Sequence, residues 1–346
     1  MPGLHNRFFG MTGRLHAAPE SGVFAAIKWR DRHAAMRQRI RPFCSIIVPC
    51  GRPERVTATV DTLLGQTYPR ELSEIVLVTP APELFGSSGG NEVRIVASGQ
   101  LFPPGAMRNL GVVKARGDIF FFLDDDCLAP VSWLDDMVRL LTHPESQKVG
   151  AVGCPVVAFH DSFWNRCADH ALFTAYQGWK TGPVAALGSA ALAVRRQAFV
   201  AAGGFDEKLL ASEDWDFSLK LQATGWQCWF CSAPAVGHDH RRGGLLPILR
   251  AAWHSGRASG LVVQRRHFAA ISWLARLMVR AGHPLVYWLM VLPYACLNTI
   301  LWPIETRPAP AMLRCLPLIF LARCVYQFGV WSTLKMNNTV VDNSAI

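Results

Sequence analysis

Acidic residues nearly vanish from the last third of this 346-residue chain. Residues 241–346 hold 2 Asp/Glu against 12 Lys/Arg, and residues 1–42 hold 2 against 8. The centre, 43–240, holds 21 against 15, so the net charge of +10 joins two basic ends to a mildly acidic middle. That distribution excludes a nucleic-acid groove, whereas basic, aromatic-rich, apolar ends suit an anionic membrane surface. The first 30 residues lack an uninterrupted apolar run, which argues against a signal peptide. Paired cysteine spacing is also missing. Of ten cysteines only Cys228 and Cys231 form a CxxC, without the second pair that a metal or redox site needs. The scattered thiols therefore predict free, buried cysteines in a reducing cytosol. There are no internal repeats.

Apolar residues are plentiful, at 51%, enough for a sizeable core. The basic segment 1–42 reads as an N-terminal extension with a weak amphipathic stretch at 24–36. Residues 43–48 form a buried-strand run closed by Pro49, and Pro53 suits the first turn of a helix with Val56, Val60, Leu63 and Leu64 at helical spacing. A second strand at 75–78 completes a parallel βαβ unit. Further strands are predicted at 93–96, 119–123, 149–159, 190–194 and 226–231, with helices at 104–115, 131–141 and 212–223, the last capped by Ser212. Residues 160–182 are aromatic-rich, with few regular signals: a substrate-facing flap or a packed loop.

After residue 240 the character changes. Residues 245–263 look amphipathic, and 268–279 are apolar with Arg276 and Arg280 near the end. Residues 284–304 contain no Asp, Glu, Lys or Arg, long enough to cross a bilayer despite Pro293 and Pro303. Residues 312–334 are apolar but interrupted by Arg314 and Arg323, a second span or an interfacial helix.

Two acidic clusters carry chemistry. The run Phe120-Phe121-Phe122-Leu123 leads straight into Asp124-Asp125-Asp126. Such an apolar run fits a strand covered on both faces, and ligands of open α/β sheets bind at strand carboxyl ends. Adjacent carboxylates there suit a hard cation, Mn²⁺ or Mg²⁺, bridging to phosphates. About 90 residues on, Glu213-Asp214 places two acids side by side, which pushes one pKa up and suits a general base. Between them Gly188-Ser189-Ala190 lets a ligand approach the backbone. A metal on a diphosphate leaving group together with a carboxylate base is the apparatus for displacement at a sugar carbon.

The ordered set of motifs resembles the family 2 glycosyltransferases of the GT-A fold, of the membrane-associated bacterial type. The matching pieces are Ser45-Ile46-Ile47-Val48-Pro49 with Arg52-Pro53-Glu54; Leu64-Gly65-Gln66-Thr67-Tyr68-Pro69; Arg108-Asn109-Leu110-Gly111; Ala115-Arg116-Gly117-Asp118; the strand into the three acids; Gly203-Gly204-Phe205-Asp206-Glu207; and Glu213-Asp214-Trp215-Asp216 onward. They cover roughly residues 43–240. The resemblance implies an α/β fold with a mixed, mainly parallel sheet flanked by helices, followed by a C-terminal apolar helical membrane region at 241–346. It implies inverting transfer of a sugar from a nucleotide-sugar donor to a hydroxyl acceptor, membrane-held or lipid-linked, on the cytosolic side of a plasma or inner membrane. Asp124 and Asp126 would match the family's Asp-x-Asp metal and diphosphate site, His238 a metal-side histidine with His240 as rival, and Asp214 the base with Glu213 beside it. Pro49, Arg52, Arg108, Asp124 and Asp125 would contact the donor.

The chain departs from the family's pattern at the Pro49-Cys50-Gly51 turn and, more clearly, after the second strand. Thr79-Pro80-Ala81-Pro82 stands where an acid pair ordinarily meets the nucleotide base, with Glu83 nearby. No Gln-x-x-Arg-Trp follows the base, which argues for transfer of one sugar at a time. The departure keeps open a catalytically altered, glycosyltransferase-like membrane protein. A sugar-phosphate nucleotidyltransferase would need a Gly-rich phosphate loop after the first strand, and Pro49-Cys50-Gly51-Arg52 is none.

Overall fold

The computed structural model describes residues 41–85, 93–173, 180–265, 284–306 and 310–342. Most of the basic extension, including the stretch at 24–36, and the apolar run at 268–279 lie outside the described residues.

Strand β1 (Cys44–Pro49), helix α1 (Val56–Leu64) and strand β2 (Ser73–Thr79) form the expected βαβ unit, with β1 parallel to β2. Strand β3 (Val93–Ala97) adds in parallel to β2, and helix α2 (Pro104–Lys114) leads to β4 (Ile119–Leu123), parallel to β1. The two-residue strand β5 (Cys127–Leu128) follows the acids, then helix α3 (Trp133–Thr142) and β6 (Val149–Gly153). The single strand expected at 149–159 is broken at Cys154-Pro155, and its second half, β7 (Val156–Ala158), belongs to a different sheet. Pro155 offers no amide to a ladder.

Helix α4 (Phe163–Leu172) corrects the irregular reading of 160–182: the Ser162 side chain caps it by accepting from the Asn165 amide at 3.2 Å. Then come β8 (Gly182–Val184), β9 (Ala191–Arg195), α5 (Arg196–Ala202), α6 (Glu213–Ala223), β10 (Gln227–Phe230) and β11 (Val236–His238). The main sheet runs β3-β2-β1-β4-β9-β6-β10-β8. Only β9 and β8 run antiparallel to their neighbours, which gives the mixed, mainly parallel sheet. A small sheet, β5-β11-β7, sets His238 opposite Cys127 on one side and Ala158 on the other.

Strand β4 explains its own sequence. Phe120, Phe121 and Phe122 are all fully buried, Phe121 against Trp133 on one face and Phe120 and Phe122 against Phe199 on the other. Helices cover both faces, so no polar alternation is needed. Because β9 runs opposite to β4, the residues entering β9 meet the residues leaving β4, and the Asp124 amide donates to the Ala190 carbonyl at 3.2 Å.

Beyond the sheet lie α7 (Leu245–Arg265), α8 (Pro284–Thr306) and α9 (Leu316–Asp342). Helices α7 and α9 cross at glycines. A Cβ on Gly256 would sit 2.0 Å from the Tyr326 carbonyl oxygen, and one on Gly329 would sit 2.6 Å from the Trp253 carbonyl oxygen. Gly256 and Gly260 form a GxxxG stripe that lets backbones touch. Tyr287–Ile304 and Pro310–Leu334 are long and apolar enough to cross a membrane. On α8, Val291 and Trp302 are buried, while Leu289, Leu292, Ile300 and Ile304 are exposed. Arg323, which interrupts α9 in sequence, is buried, with Nη1 3.3 Å from the Thr299 hydroxyl of α8.

The cysteines need one correction. Cys167 of α4 and Cys315 form a disulfide across 148 residues of chain, a pairing no local spacing reveals. Eight others are free, and Cys228 and Cys231 are buried as packing residues. Burial pushes the Cys228 thiol up to about 12 and the Cys231 thiol up to about 11, so neither is a ready thiolate.

Candidate active site

The three acids face three different partners. Asp125 turns back toward the β1–α1 loop. Its Oδ2 accepts from the Gly51 and Arg52 amides, each at 2.9 Å, and its Oδ1 pairs with the Arg52 guanidinium. Its backbone carbonyl accepts from Thr59 at 3.0 Å. Burial outweighs the Arg52 contact and raises the Asp125 pKa. Asp125, predicted as a donor contact, fixes the loop that carries Pro49 and Arg52.

Asp124 and Asp126 leave the turn in opposite senses. Asp124 accepts from Arg108 Nη2 at 2.6 Å. Asp126 faces Arg52 Nη1 at 2.8 Å and His238 Nε2 at 3.2 Å. Burial opposes the Asp126 charge, but the His238 ring and the Arg52 guanidinium hold its carboxyl below the usual carboxylate range. Among the described residues, Asp126 Oδ1 and His238 Nδ1 are buried without a hydrogen-bond partner in good geometry, and it is the other ring nitrogen, His238 Nε2, that faces Asp126. A carboxylate oxygen and an imidazole nitrogen 3.2 Å apart can both bind one divalent cation. Cys127 Sγ lies within 4.8 Å of both, but burial pushes its thiol well above the ordinary range, which disfavours a thiolate ligand.

Arg108 joins this cluster to the second one. It is 2% exposed, and its Nη1 donates to Glu213 Oε1 at 2.6 Å. Burial works against its charge, and Asp124 and Glu213 hold it protonated. Helix α2 comes this close because Gly105 has no side chain: a Cβ there would meet the Asp206 carbonyl at 3.0 Å and the Phe205 Cβ at 3.1 Å.

Glu213 and Asp214 open α6. Ser189 links them: its hydroxyl donates to Glu213 Oε1 and its amide to Asp214 Oδ2, both at 3.3 Å. Asp214 Oδ1 also accepts from the Trp215 amide at 2.7 Å. Burial first, and the Glu213 charge second, push the Asp214 carboxyl up to about 7. Of the two neighbouring acids, one is ion-paired with Arg108 and the other has its pKa raised toward neutral pH. Ser212 departs from the sequence reading. It makes no side-chain cap, lies at φ 59°, and its hydroxyl contacts that of Ser259 on α7 at 3.0 Å.

The turn after β2 lacks an acid, as its sequence implies. Thr79 is fully buried and its hydroxyl accepts from the Ala81 amide at 3.2 Å, while Glu83 is exposed on a short 3-10 turn, Pro82–Phe85. Sequence reading overlooked Arg242. Its Nη1 is buried without a hydrogen-bond partner among the described residues, and Asp126 and Arg52 lie within its electrostatic reach. The signal was the run His238-Asp239-His240-Arg241-Arg242 directly after a strand. Asp169 and Phe173 were also overlooked, because helix α4 was.

The chain is similar to known proteins in sequence and fold. Residues 94–234 match the family described as glycosyltransferase like family 2. The O-antigen biosynthesis protein RfbC of Myxococcus xanthus is 31% identical over 229 residues, 58% of this chain and 17% of that protein. The pre-mycofactocin glycosyltransferase of Mycobacterium tuberculosis is 28% identical over 195 residues, 54% of this chain and 40% of that protein. The chain thus spans well under half the length of these curated relatives. Among solved structures, the mannosyltransferase PcManGT from Pyrobaculum calidifontis, in complex with GDP-Man and Mn²⁺, superposes with a TM-score of 0.55 at 18% identity, covering 85% of this chain and 88% of that one. The chain therefore carries a glycosyltransferase family 2-like domain with the GT-A fold.

Proposed function

We propose that the chain transfers one sugar from a nucleotide-sugar to a hydroxyl acceptor with inversion at the anomeric carbon. The observation that carries this reading is Arg108, which spans Asp124 and Glu213 and so sets the cation side and the base side on one floor. Mn²⁺ or Mg²⁺ held by Asp126 and His238, with Asp124 alongside, would neutralise the diphosphate of the donor when bound. The guanidinium groups of Arg52 and Arg242 add positive charge on the same side. Asp214 takes the proton of the attacking hydroxyl as its oxygen bonds the anomeric carbon and the bond to the diphosphate breaks. Glu213 stays paired with Arg108, and burial together with the Glu213 charge keeps Asp214 near the pKa that suits a base at neutral pH.

The C-terminal helices support a membrane setting for this reaction. Leu289, Leu292, Leu297, Ile300 and Ile304 expose apolar side chains on α8, opposite its packed face. The catalytic domain, 43–240, then lies on the cytosolic side, and the acceptor is membrane-held or lipid-linked. Thermal shift with a panel of nucleotide-sugars tests the reading: at least one raises the melting temperature, and only with Mn²⁺ or Mg²⁺ present. One observation favours a second reading, the acid-free turn at Thr79-Pro80-Ala81. Absence of stabilisation by every donor would make this a catalytically altered, glycosyltransferase-like membrane protein.

A further inference from the structure

Helix α4 stands behind the cation site, and one of its acids faces the segment that carries His238. Asp169 is buried, and its two carboxylate oxygens meet two different partners, a backbone amide and an imidazole ring. Oδ2 accepts from the Ala158 amide of β7 at 2.7 Å, and Oδ1 lies 3.3 Å from His240 Nε2. On the other side of that ring, Nδ1 accepts from the Arg242 amide at 3.1 Å. An Nδ1 that accepts leaves the ring proton of a neutral imidazole on Nε2, pointing at Asp169. The His240 ring packs edge-on against His238 at 5.1 Å. Phe173, just past α4, packs against His238 at 5.5 Å and lies under the Arg242 guanidinium at 5.5 Å. Cys167, two residues before Asp169 and so on the opposite side of the helix, is tied to Cys315. The helix is held from behind while its acid holds the segment in front.

Resting on the transferase reading above, we propose that Asp169 is a positioning residue: it fixes His240, and through it the segment that presents His238 to the cation and Arg242 to the diphosphate. Asp169 touches neither ligand. Its effect passes along one hydrogen-bonded line, Asp169 to His240 to the Arg242 backbone.

The test uses the full chain, with Mn²⁺ plus UDP and Mn²⁺ plus GDP as probes. Asp169→Asn keeps an acceptor for Ala158 but turns a donor toward His240 Nε2, which reverses the ring's tautomer and removes the acceptor for Arg242. His240→Gln keeps a donor for Asp169 and removes only that acceptor. Each variant raises the dissociation constant of the bound nucleoside diphosphate about tenfold, and the double variant is no weaker than the singles, because all three cut one line. Pulsed electron paramagnetic resonance of bound Mn²⁺ loses part of its histidine-nitrogen modulation in both singles, a change that general loosening of the fold would not produce. Unchanged affinity in His240→Gln, or additive losses in the double variant, would overturn the positioning role even if Asp169→Asn does not fold. If the unaltered chain binds neither UDP nor GDP with Mn²⁺, the transferase reading falls and the positioning role falls with it. Tight binding by the unaltered chain with unchanged variants removes the positioning role alone.

Discussion

Arg108 and Glu213 are 105 residues apart in the chain and 2.6 Å apart in the fold. The pair is almost wholly buried, and the other arm of the guanidinium holds Asp124 at the same distance. One cation thus compensates two carboxylates that belong to opposite ends of the site.

Removing that cation has a definite cost. Arg108→Gln leaves the partly exposed Asp124 and the buried Glu213 uncompensated, and breaking a buried pair from one side costs about 3–5 kcal/mol. Urea unfolding of the variant is expected to show a loss of that size at pH 7.5. A loss under about 0.5 kcal/mol, the size of an exposed substitution, would mean that water already reaches the pair.

Asp214→Asn removes the base without altering shape. Sugar transfer is expected to fall about 10²–10⁴-fold, the usual worth of a general base, while nucleotide-sugar still stabilises the chain in the presence of Mn²⁺. Full turnover by this variant would take Asp214 out of the base role.

The same residue sets the pH dependence. With its carboxyl at about 7, Asp214 is protonated and idle at pH 6 and ionised at pH 8, so the transfer rate climbs through about pH 7 on going alkaline. Stability runs the other way. The folded pKa lies above the unfolded one, so the protonated form favours the fold, and that contribution is lost as pH rises through about 7. Asp214→Asn is therefore expected to be more stable than the unaltered chain at pH 8, by roughly 1–3 kcal/mol, with the gap closing only toward about pH 4, the range of the unfolded carboxyl. A variant that melts lower at pH 8 would contradict the burial of this acid.

Asp126→Ala tests the cation side. It removes one of the two facing ligand atoms and frees Arg52 from its second partner. Chelation by EDTA is expected to abolish donor-induced stabilisation of the unaltered chain, and Asp126→Ala to weaken Mn²⁺-dependent donor binding by at least on the order of tenfold. Unchanged metal dependence in the variant would move the cation elsewhere.

Gly256→Val addresses the helix crossing. Its Cβ has a backbone oxygen 2.0 Å away, which no rotamer relieves, so α7 and α9 must part. The expected destabilisation is at least about 1–3 kcal/mol, read as a lower melting temperature in detergent. Melting as for the unaltered chain would show that the two helices do not meet there.

Much of the fold was legible because it rests on local rules. A three-phenylalanine run demanded a sheet covered on both faces, and Phe120, Phe121 and Phe122 divide their rings between two cores. The βαβ start and the apolar stretches after residue 280 followed from period and length. The site was legible as two acidic clusters, but not as their wiring. Nothing in local spacing says that Asp125 turns away to brace Arg52, that Ser212 gives up a helix cap to meet Ser259, or that Cys167 finds Cys315. These contacts join residues 47 to 148 positions apart, where tertiary packing overrides propensity. Helix α4 escaped notice because its aromatic residues blurred the 3.6-residue period, and Asp169 escaped with it.

The hydroxyl contact between Ser212 and Ser259 changes what the C-terminal helices are. Ser212 immediately precedes the two acids of α6, Ser259 belongs to the glycine-crossed pair, and Tyr326 of that pair stands within electrostatic reach of Asp214. A chain ended at residue 240 would keep all three aspartates, His238 and the base, yet leave the flank of Asp214 open to solvent. Water is itself a hydroxyl acceptor, and a base left wet turns transfer into hydrolysis of the donor. On this geometry the helices that are apolar enough to cross a bilayer would also keep the donor's sugar from being spent on water.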